Sequence, residues 1–266
     1  MNNRLTIKGG FKQGRSYLKD TFFTPPFRVV DVSEHRHDPT AYVMVMSSSP
    51  GMLDGDHYDI NIEVETGCSL QLQSQSYQRI FNMERGATQQ QLIKLHAGAA
   101  FTYVQHPVVP HEKAIFKGRN RILLEDDCRL TFGEILTCGR KHSGEVFRYT
   151  SFHNITEVYH HQKLLVKDNL LLQPLTVDMA AIGQMEGFTH QATLIHADTG
   201  HGIGEALVPA LYKLLEQEKE VALGISSPAA SVLVLRMLGN GGEQLFNALQ
   251  RVADYCRHYK TQATHS

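Results

Sequence analysis

The sequence has no run of apolar residues approaching the roughly 20 that a membrane-spanning helix requires. Residues 1–15 likewise contain no apolar stretch of signal-peptide length. We therefore expect a cytoplasmic protein without a membrane partner. An excess of one charge is also lacking, since 26 Lys and Arg residues stand against 27 Asp and Glu residues and leave a formal charge of -1. Without an overall basic field, nucleic acid is excluded as the main partner.

Familiar catalytic and metal-binding motifs are absent as well. The sequence has no G-x-S-x-G, H-E-x-x-H, P-loop or strand-linked G-x-G-x-x-G motif, and each gap removes a class of enzyme. Its four cysteines, Cys68, Cys128, Cys138 and Cys256, form no C-x-x-C pair. This spacing predicts reduced thiols rather than a disulfide framework or a structural zinc site.

The composition supports a folded globular protein, with 42% hydrophobic and 20% charged residues. The length and the lack of a low-complexity linker favour a single domain over residues 1–266. We divide it into a β body at 1–200, a helical C-terminal end at 201–260 and a frayed polar tail at 261–266. Short stretches of alternating apolar and polar residues predict strands from about residue 17 to 200.

Three stretches of the β body can be superimposed. They are 64–72, 95–103 and 124–132, and their starts are 31 and 29 residues apart. Each has an apolar strand end, a turn, a small residue and an alternating strand, so each offers an apolar face to a neighbour. Stacked β layers are one interpretation, and an ordinary two-sheet sandwich with similar hairpins is the other. Cys68 and Cys128 occupy equivalent positions, which predicts packed thiols.

After residue 200 the spacing of apolar residues changes. Leucines at three- and four-residue intervals predict amphipathic helices at 205–220 and 243–259. Between them, 231–238 has the composition of a buried strand, and the glycine-rich segment 239–242 ends it. The sequence therefore predicts a mainly β protein with two C-terminal α-helices.

Polar residues at turns and strand ends are the candidate functional groups. Asp54 and Asp56 lie in a turn-forming segment, and Ser74 opens a Ser-Gln-Ser run. Glu134 stands within an apolar strand, where an unpaired charge is costly, so we expect a partner such as Arg140, a metal ion or water. A structural ion pair and a functional carboxylate are both open interpretations of Glu134.

The 15 histidines keep transition-metal binding open, although scattered surface histidines are the plainer interpretation. The close pairs are His35 with His37, His106 with His111, and His160 with His161. Cys138 is a soft donor that could join Glu134 at a nickel or copper ion, with burial as an inert thiol as the alternative. Glu145, after a glycine, is a further candidate carboxylate.

Taken in order, several segments resemble the urease accessory proteins of the UreD family, called UreH in some bacteria. They are SSPGMLDGD (48–56), LQSQSYQRIF (72–81), HPVVPHEKAIFKG (106–118), FGEILTCGRKHSGEVF (132–147), EVYHHQKLLVKDNLLLQP (157–174) and VLVLRMLGNGGEQLFNALQRVADYCR (232–257). The most distinctive are the P-G-x-L-x-G-D turn, the pattern from Glu134 to Glu145, and the R-x-L-G strand before the last helix.

The resemblance implies a flattened β-helix-like body of layered strands with two C-terminal α-helices. It also implies a non-catalytic scaffold or chaperone rather than an enzyme. Family members bind UreF and, through it, the GTPase UreG, and they act on apo-urease to insert nickel. The implied partners are therefore UreF, UreG and apo-urease, with a homodimer within the complex as one arrangement. The helices at 205–220 and 243–259 are the expected partner-binding elements.

The resemblance further implies an internal polar channel through which nickel passes, and no tightly bound cofactor apart from this transient Ni²⁺. Carried over by position, the residues expected to line the route or donate to the metal are Asp56, Ser74, Glu134, Glu145, Cys138 and His111. Oxygen ligands and water bind nickel transiently and let it leave as readily as it enters.

Two other classes of function compete with this one. A carbohydrate-active β-helix enzyme would use paired carboxylates among Asp54, Asp56, Glu134 and Glu145. The missing tryptophan counts against it because sugar sites usually have aromatic platforms, and so does the missing secretion signal. A metal-storage or metal-sensing protein built on the histidines is the third class, but their scatter does not resemble a closed site.

Overall fold

The computed structural model describes residues 2–34 and 38–259. The expected tail at 261–266 and the His35 and His37 pair lie outside the described residues. Within the described ranges the chain is mainly β, with seventeen strands and two α-helices near the C-terminus. The predicted class is therefore confirmed at this level.

The strands β1 to β12 are Asn2–Lys12, Arg15–Phe23, Phe27–Asp31, Ala41–Ser47, His57–Val64, Ser69–Ser74, Gln78–Ile80, Ala87–Leu95, Ala100–Val104, Val108–Pro110, Ile115–Leu124 and Arg129–Thr137. A 3-10 turn at Lys141–Ser143 precedes β13 Ser151–His160, β14 Lys163–Leu172 and β15 His190–Asp198. The C-terminal end consists of α1 Leu207–Leu215, β16 Ala222–Ala229, β17 Val232–Gly239 and α2 Gly242–His258.

The strands form two sheets. The first sheet has the order β14-β13-β11-β8-β5-β1-β2, and the second has the order β16-β17-β15-β12-β9-β6-β4-β3, with the short β10 and β7 attached beside β12. Apart from β7 and β10, the chain alternates between the sheets from β4 to β13. Each return adds a strand parallel to the previous one in that sheet. Antiparallel strands close the ends of both sheets.

The three superimposed stretches form equivalent turns between the sheets. Their fourth residues, Gly67, Gly98 and Asp127, all adopt left-handed backbone with φ of 70°, 70° and 58°. Glycine reaches this conformation without a steric penalty, and aspartate tolerates it better than most residues. Cys68 and Cys128, which come next, are buried, and burial raises the pKa of both thiols. The prediction of packed thiols at these positions is confirmed.

The helices cover the outer face of the second sheet. Leu211 of α1 and Leu245 and Leu249 of α2 are buried against this face, where they join Ile135 and Leu194. The apolar faces from which the two helices were predicted therefore pack against the second sheet of the same chain. A partner of these helices would meet their polar sides.

The structure corrects several predicted boundaries. Strands begin at Asn2 rather than near residue 17, and α1 is shorter than the predicted 205–220. Residues after Leu215 turn away because Glu218 accepts hydrogen bonds from two side chains of α2. Strand β16 was not predicted, since its small residues and proline disguise an edge strand. None of the helices in the described part of the chain combines the length and apolarity needed to cross a bilayer.

Candidate functional site

Two rows of polar side chains face each other between the sheets, and we call the space that they enclose the polar layer. In the register of the first sheet, the row is Gln91, Asn120, Thr156 and Asp168, from β8, β11, β13 and β14. In the second sheet, the row is Glu134, Thr193 and Arg236, from β12, β15 and β17. Because the register places each row across several strands, the polar layer runs from strand to strand through an otherwise apolar core.

Glu134 links the two sheets at the centre of the polar layer. Its Oε1 accepts hydrogen bonds from Asn120 Nδ2 at 2.8 Å and Asn154 Nδ2 at 2.9 Å. Its Oε2 accepts one from Thr156 Oγ1 at 2.7 Å. We expected a partner for Glu134, and the structure shows three, all of them neutral hydrogen-bond donors. Arg140, the predicted cationic partner, instead pairs with Glu145.

The surroundings of Glu134 raise its pKa to about 7. Removal of the carboxyl from water is the main cause, and the negative charge of Asp168 adds to it. Hydrogen bonds from Thr156, Asn154 and Asn120 oppose the rise because they stabilise the charged form. Asp168 forms an ion pair with Arg236 at 2.5 Å. Near neutral pH the Glu134 carboxyl is therefore present in both protonated and ionised forms.

The raised pKa of Glu134 predicts a specific dependence of stability on pH. Its ordinary value is 4.5, so between pH 4.5 and 7 the folded chain holds a proton that the unfolded chain releases, and stability falls as the pH rises. In Glu134→Gln this loss disappears. We expect the variant to gain, relative to the wild type, on the order of 2 kcal/mol in unfolding free energy between pH 5.5 and pH 8. Urea unfolding of both proteins at pH 5.5 and pH 8 measures this change. If the difference in unfolding free energy between variant and wild type were the same at both pH values, the raised pKa would be contradicted.

Residues of the polar layer line several cavities. A cavity of about 130 Å³ is lined by residues that include Ser74, Gln89, Gln91, Tyr103 and Gln105. A smaller one of about 30 Å³ is lined by residues that include Glu134, Asn154, Asp168, Gln191 and Thr193. Gln191 also lines a third cavity of about 490 Å³ that reaches Arg236. The polar layer is thus a series of spaces, each large enough for at least one water molecule.

Tyr103 connects Ser74 to Glu134. Burial raises the pKa of the Tyr103 hydroxyl and the negative charge of Glu134 raises it further, while a hydrogen bond with Ser74 opposes the rise. The Ser74 hydroxyl also lies 2.9 Å from His106 Nδ1. Ser74 therefore lies beside the polar layer, since it lines the same cavity as Gln91.

Several buried polar atoms of the layer have no hydrogen-bond partner among the described residues. They are Gln91 Nε2, Gln105 Nε2 and Asn120 Oδ1. Buried polar groups are otherwise almost always paired, with protein or with ordered water. Gln91 and Gln105 line the cavity of about 130 Å³, so their Nε2 atoms offer it two hydrogen-bond donors, as a water molecule would require.

Gly118 of β11 makes room for the amide that reaches Glu134. A Cβ at this position would collide with Asn154 Oδ1 and would lie 2.8 Å from Cε1 of Phe116. Any larger residue would therefore displace the Asn154 side chain from its hydrogen bond to Glu134. Glycine here serves close packing inside the layer.

Glu145 and the buried His111 form a separate group beside Arg140. The Arg140 guanidinium donates to both oxygens of Glu145, and this pairing holds the pKa of the carboxyl below its ordinary value. Burial lowers the pKa of His111, and the nearby Arg140 charge lowers it further. His111 and Arg140 line a cavity of about 750 Å³. Neither His111 nor Glu145 is among the residues that line the cavity at Glu134.

Three other predicted residues have mainly packing or turn contacts. Cys138 is buried, and burial raises the pKa of its thiol. The Asp56 carboxylate accepts a hydrogen bond from the backbone N–H of Leu53 at 2.8 Å, within its turn. Asp54 accepts backbone hydrogen bonds from Arg85 and Gly86 and also pairs with the Arg85 side chain.

The sequence analysis missed most of the residues that surround Glu134. Asn120, Thr156 and Asp168 were not singled out, and neither were the glutamines of β8. One signal could have found them: each occupies an inward position of a strand whose other inward positions are apolar, such as Ile122 in β11. A polar residue at such a position breaks the two-residue alternation of a buried face.

The fold and the polar layer define a class: a mainly β protein that keeps a carboxyl and several amides between two sheets. The family model of the UreD urease accessory protein matches residues 2–266 of the chain. The chain belongs to this family. Urease accessory proteins are non-catalytic maturation factors, so the chain is placed in a class without catalytic activity of its own.

Relatives agree with this assignment over nearly the whole length. The chain is 57% identical to the urease accessory protein UreD of Flavobacterium johnsoniae over 252 residues, which cover 95% of this chain and 91% of the relative. It is 32% identical to UreD of Acetivibrio thermocellus, with 94% and 95% covered. It is 30% identical to UreH of Helicobacter pylori, with 97% and 96% covered.

Proposed function

We propose that the chain is a scaffold for nickel insertion into apo-urease and that nickel crosses it through the polar layer. The observation that carries this proposal is Glu134, a carboxyl with a pKa of about 7 that lines a small polar cavity between the two sheets. The names of its relatives, which are urease accessory proteins, support a role in urease maturation.

Glu134 suits a cargo that must bind and leave. A divalent cation that arrives at the carboxyl displaces its proton, and amide and hydroxyl oxygens of the layer supply further weak ligands. Because the pKa of Glu134 is near 7, neither the protonated nor the ionised state is strongly favoured at neutral pH. The ion is therefore held without being trapped, which a route requires. Ser74 lies on the same route, and Asp56, Glu145, Cys138 and His111 are assigned to its approaches.

The complex around the scaffold consists of UreF, UreG bound through UreF, and apo-urease. The polar outer sides of α1 and α2 are the proposed docking surface for the helical partner, with Tyr212 and Tyr255 as exposed aromatic contacts. A homodimer within this complex is part of the proposal. We assign the assembly to the cytoplasm and describe the alternating parallel strands as a flattened β-helix.

Deletion and complementation test this function. In cells that carry the matching urease operon, removal of this chain should abolish urease activity, and re-expression should restore it. A pull-down on the tagged chain should retain UreF, UreG or urease. Unchanged activity together with the absence of all three partners would refute the proposal.

The carbohydrate-active alternative is not favoured. It needs two carboxylates in one cleft at a defined separation. Asp54 is engaged by Arg85, and Glu145 is engaged by Arg140. The cavity lined by Glu134 contains neither of them, nor Asp56; its second carboxylate, Asp168, is paired with Arg236, and its volume of about 30 Å³ is far too small for a sugar ring.

A further inference from the structure

A second group of metal-ligand atoms lies outside the polar layer, at one edge of the β body. Asp126 is in the turn between β11 and β12, His160 ends β13, and His161 begins the turn that leads to β14. The Nε2 atoms of His160 and His161 lie 2.9 Å and 3.0 Å from the same oxygen, Oδ1 of Asp126. One ligand atom from each of the three residues lies within 4.8 Å of the others.

The backbone fixes the two turns that carry these side chains. The N–H of His161 donates to the carbonyl of Leu124 at 2.9 Å, and the N–H of Gly98 donates to the carbonyl of Asp126 at 2.9 Å. His161 itself adopts left-handed backbone with φ of 52°, a conformation uncommon in residues other than glycine. The three side chains are thus held at one edge by neighbouring layers, rather than by a single loop.

The charges at this edge favour a cation. The Asp126 carboxylate brings a negative charge within hydrogen-bond distance of two imidazoles, whose ring nitrogens are common metal ligands. The adjacent carboxylate of Glu125 is already engaged, because it binds His96 Nδ1 at 3.1 Å and accepts from the N–H of Ala97 at 2.9 Å. Asp126 is therefore the carboxylate that faces the imidazoles.

The distances match those between ligands of one metal ion. Ligand atoms about 2.1 Å from a metal and at right angles to each other are about 3.0 Å apart. The two measured separations from Asp126 Oδ1 are 2.9 Å and 3.0 Å. Two imidazoles and one carboxylate select ions such as Ni²⁺, Zn²⁺ or Cu²⁺ over Mg²⁺, which prefers oxygen ligands.

We propose that Asp126, His160 and His161 form a surface site for a divalent transition-metal ion. The three protein ligands leave the remaining positions to water, because Asp126 and His161 are exposed. The site is distinct from the polar layer, and it stands whether or not nickel crosses the β body.

The chain has 15 histidines, so the test must report on each one separately. Chemical modification of histidines, quantified for each residue, meets this need. The purified full-length chain is treated with diethyl pyrocarbonate in the presence of Zn²⁺, Ni²⁺ or Mg²⁺, and modified peptides are quantified by mass spectrometry. Zn²⁺ and Ni²⁺ should slow the modification of His160 and His161 at least about tenfold, whereas Mg²⁺ should not. The exposed His142 is the internal reference and should react at the same rate throughout.

Two variants make the test specific. Asp126→Asn keeps the size of the side chain, and in it the zinc concentration that gives half-protection should rise at least about tenfold. His161→Asn keeps a residue that tolerates left-handed backbone, and it should remove protection from His160. Circular dichroism is the control that both variants are folded. Equal reactivity of His160 and His161 with and without Zn²⁺ and Ni²⁺, or protection in Asp126→Asn identical to the wild type, would overturn the proposal.

Discussion

Replacement of Glu134 by glutamine is expected to lower urease activation at limiting nickel about tenfold or more, the usual range for loss of a metal-binding contact. Glutamine has nearly the same shape, and its oxygen accepts the hydrogen bonds of Asn120 and Asn154 that now reach Oε1. It cannot release a proton or carry a negative charge. The measurement is urease activity in cells that express the full operon with this variant, across a range of nickel concentrations.

Glu157→Gln is the matched control. Glu157 lies on β13 beside Thr156, but it faces the opposite side of the sheet, where Arg119 at 2.9 Å and Lys167 at 3.3 Å pair with it. Hydrogen bonding from Arg119 lowers its pKa, so its loss should weaken the fold rather than strengthen it. Activation should nevertheless match the wild type at equal protein abundance. Equal activation by Glu134→Gln and the wild type at limiting nickel would remove Glu134 from the route.

Gly51→Ala is expected to destabilise the protein by about 2–3 kcal/mol or more, as overpacking against fixed atoms does. Gly51 belongs to the P-G-x-L-x-G-D turn, and its added Cβ would collide with the carbonyl oxygen of Arg79 and lie 3.0 Å from the carbonyl carbon. These are backbone atoms, and the same carbonyl accepts a hydrogen bond from the N–H of Met52 at 2.8 Å. Neither partner can move without breaking the contact between the turn and β7.

Gly224→Ala, in the edge strand β16, provides the comparison. A Cβ there meets no atom within 4 Å, so the substitution should leave stability nearly unchanged. For a chain of this length, a loss of about 2–3 kcal/mol in Gly51→Ala corresponds to a fall of about 4–5 °C in Tm. Thermal unfolding of the two variants measures the difference. A Tm for Gly51→Ala equal to that of Gly224→Ala would show that the turn does not depend on this glycine.

Sequence patterns predicted those strands, helices and turns whose formation depends mainly on residues close together in the chain. Alternation indicated a strand-rich body up to about residue 200, leucine spacing identified both helices, and the repeated turns at Gly67, Gly98 and Asp127 were visible as superimposable segments. The edge strand β16 escaped because it has only one partner and little apolar alternation. The position of β16 depends on its pairing with β17, and the local sequence does not reveal that pairing.

The candidate site was predictable only in part because its contacts join distant strands. Glu134 stood out as a charge in an apolar strand. Its partners Asn120, Asn154 and Thr156 lie 14, 20 and 22 residues away along the chain, and only the register of β11 and β13 brings them to it. The resemblance placed Glu145 on the same route as Glu134. In the structure Glu145 forms an ion pair with Arg140, five residues before it, and that contact is local in the sequence.

The edge strands of the two sheets carry residues that oppose pairing with a strand from another chain. An unpaired strand edge is a template on which another chain can polymerise, and layered β proteins are exposed to this hazard at each end. Here β2 carries Lys19 and Asp20, β14 carries Lys163 and Lys167, and β16 carries Pro228, which cannot donate to a neighbouring strand. These gatekeeper residues oppose fibril-like growth from copy to copy, so the number of layers is set within one chain.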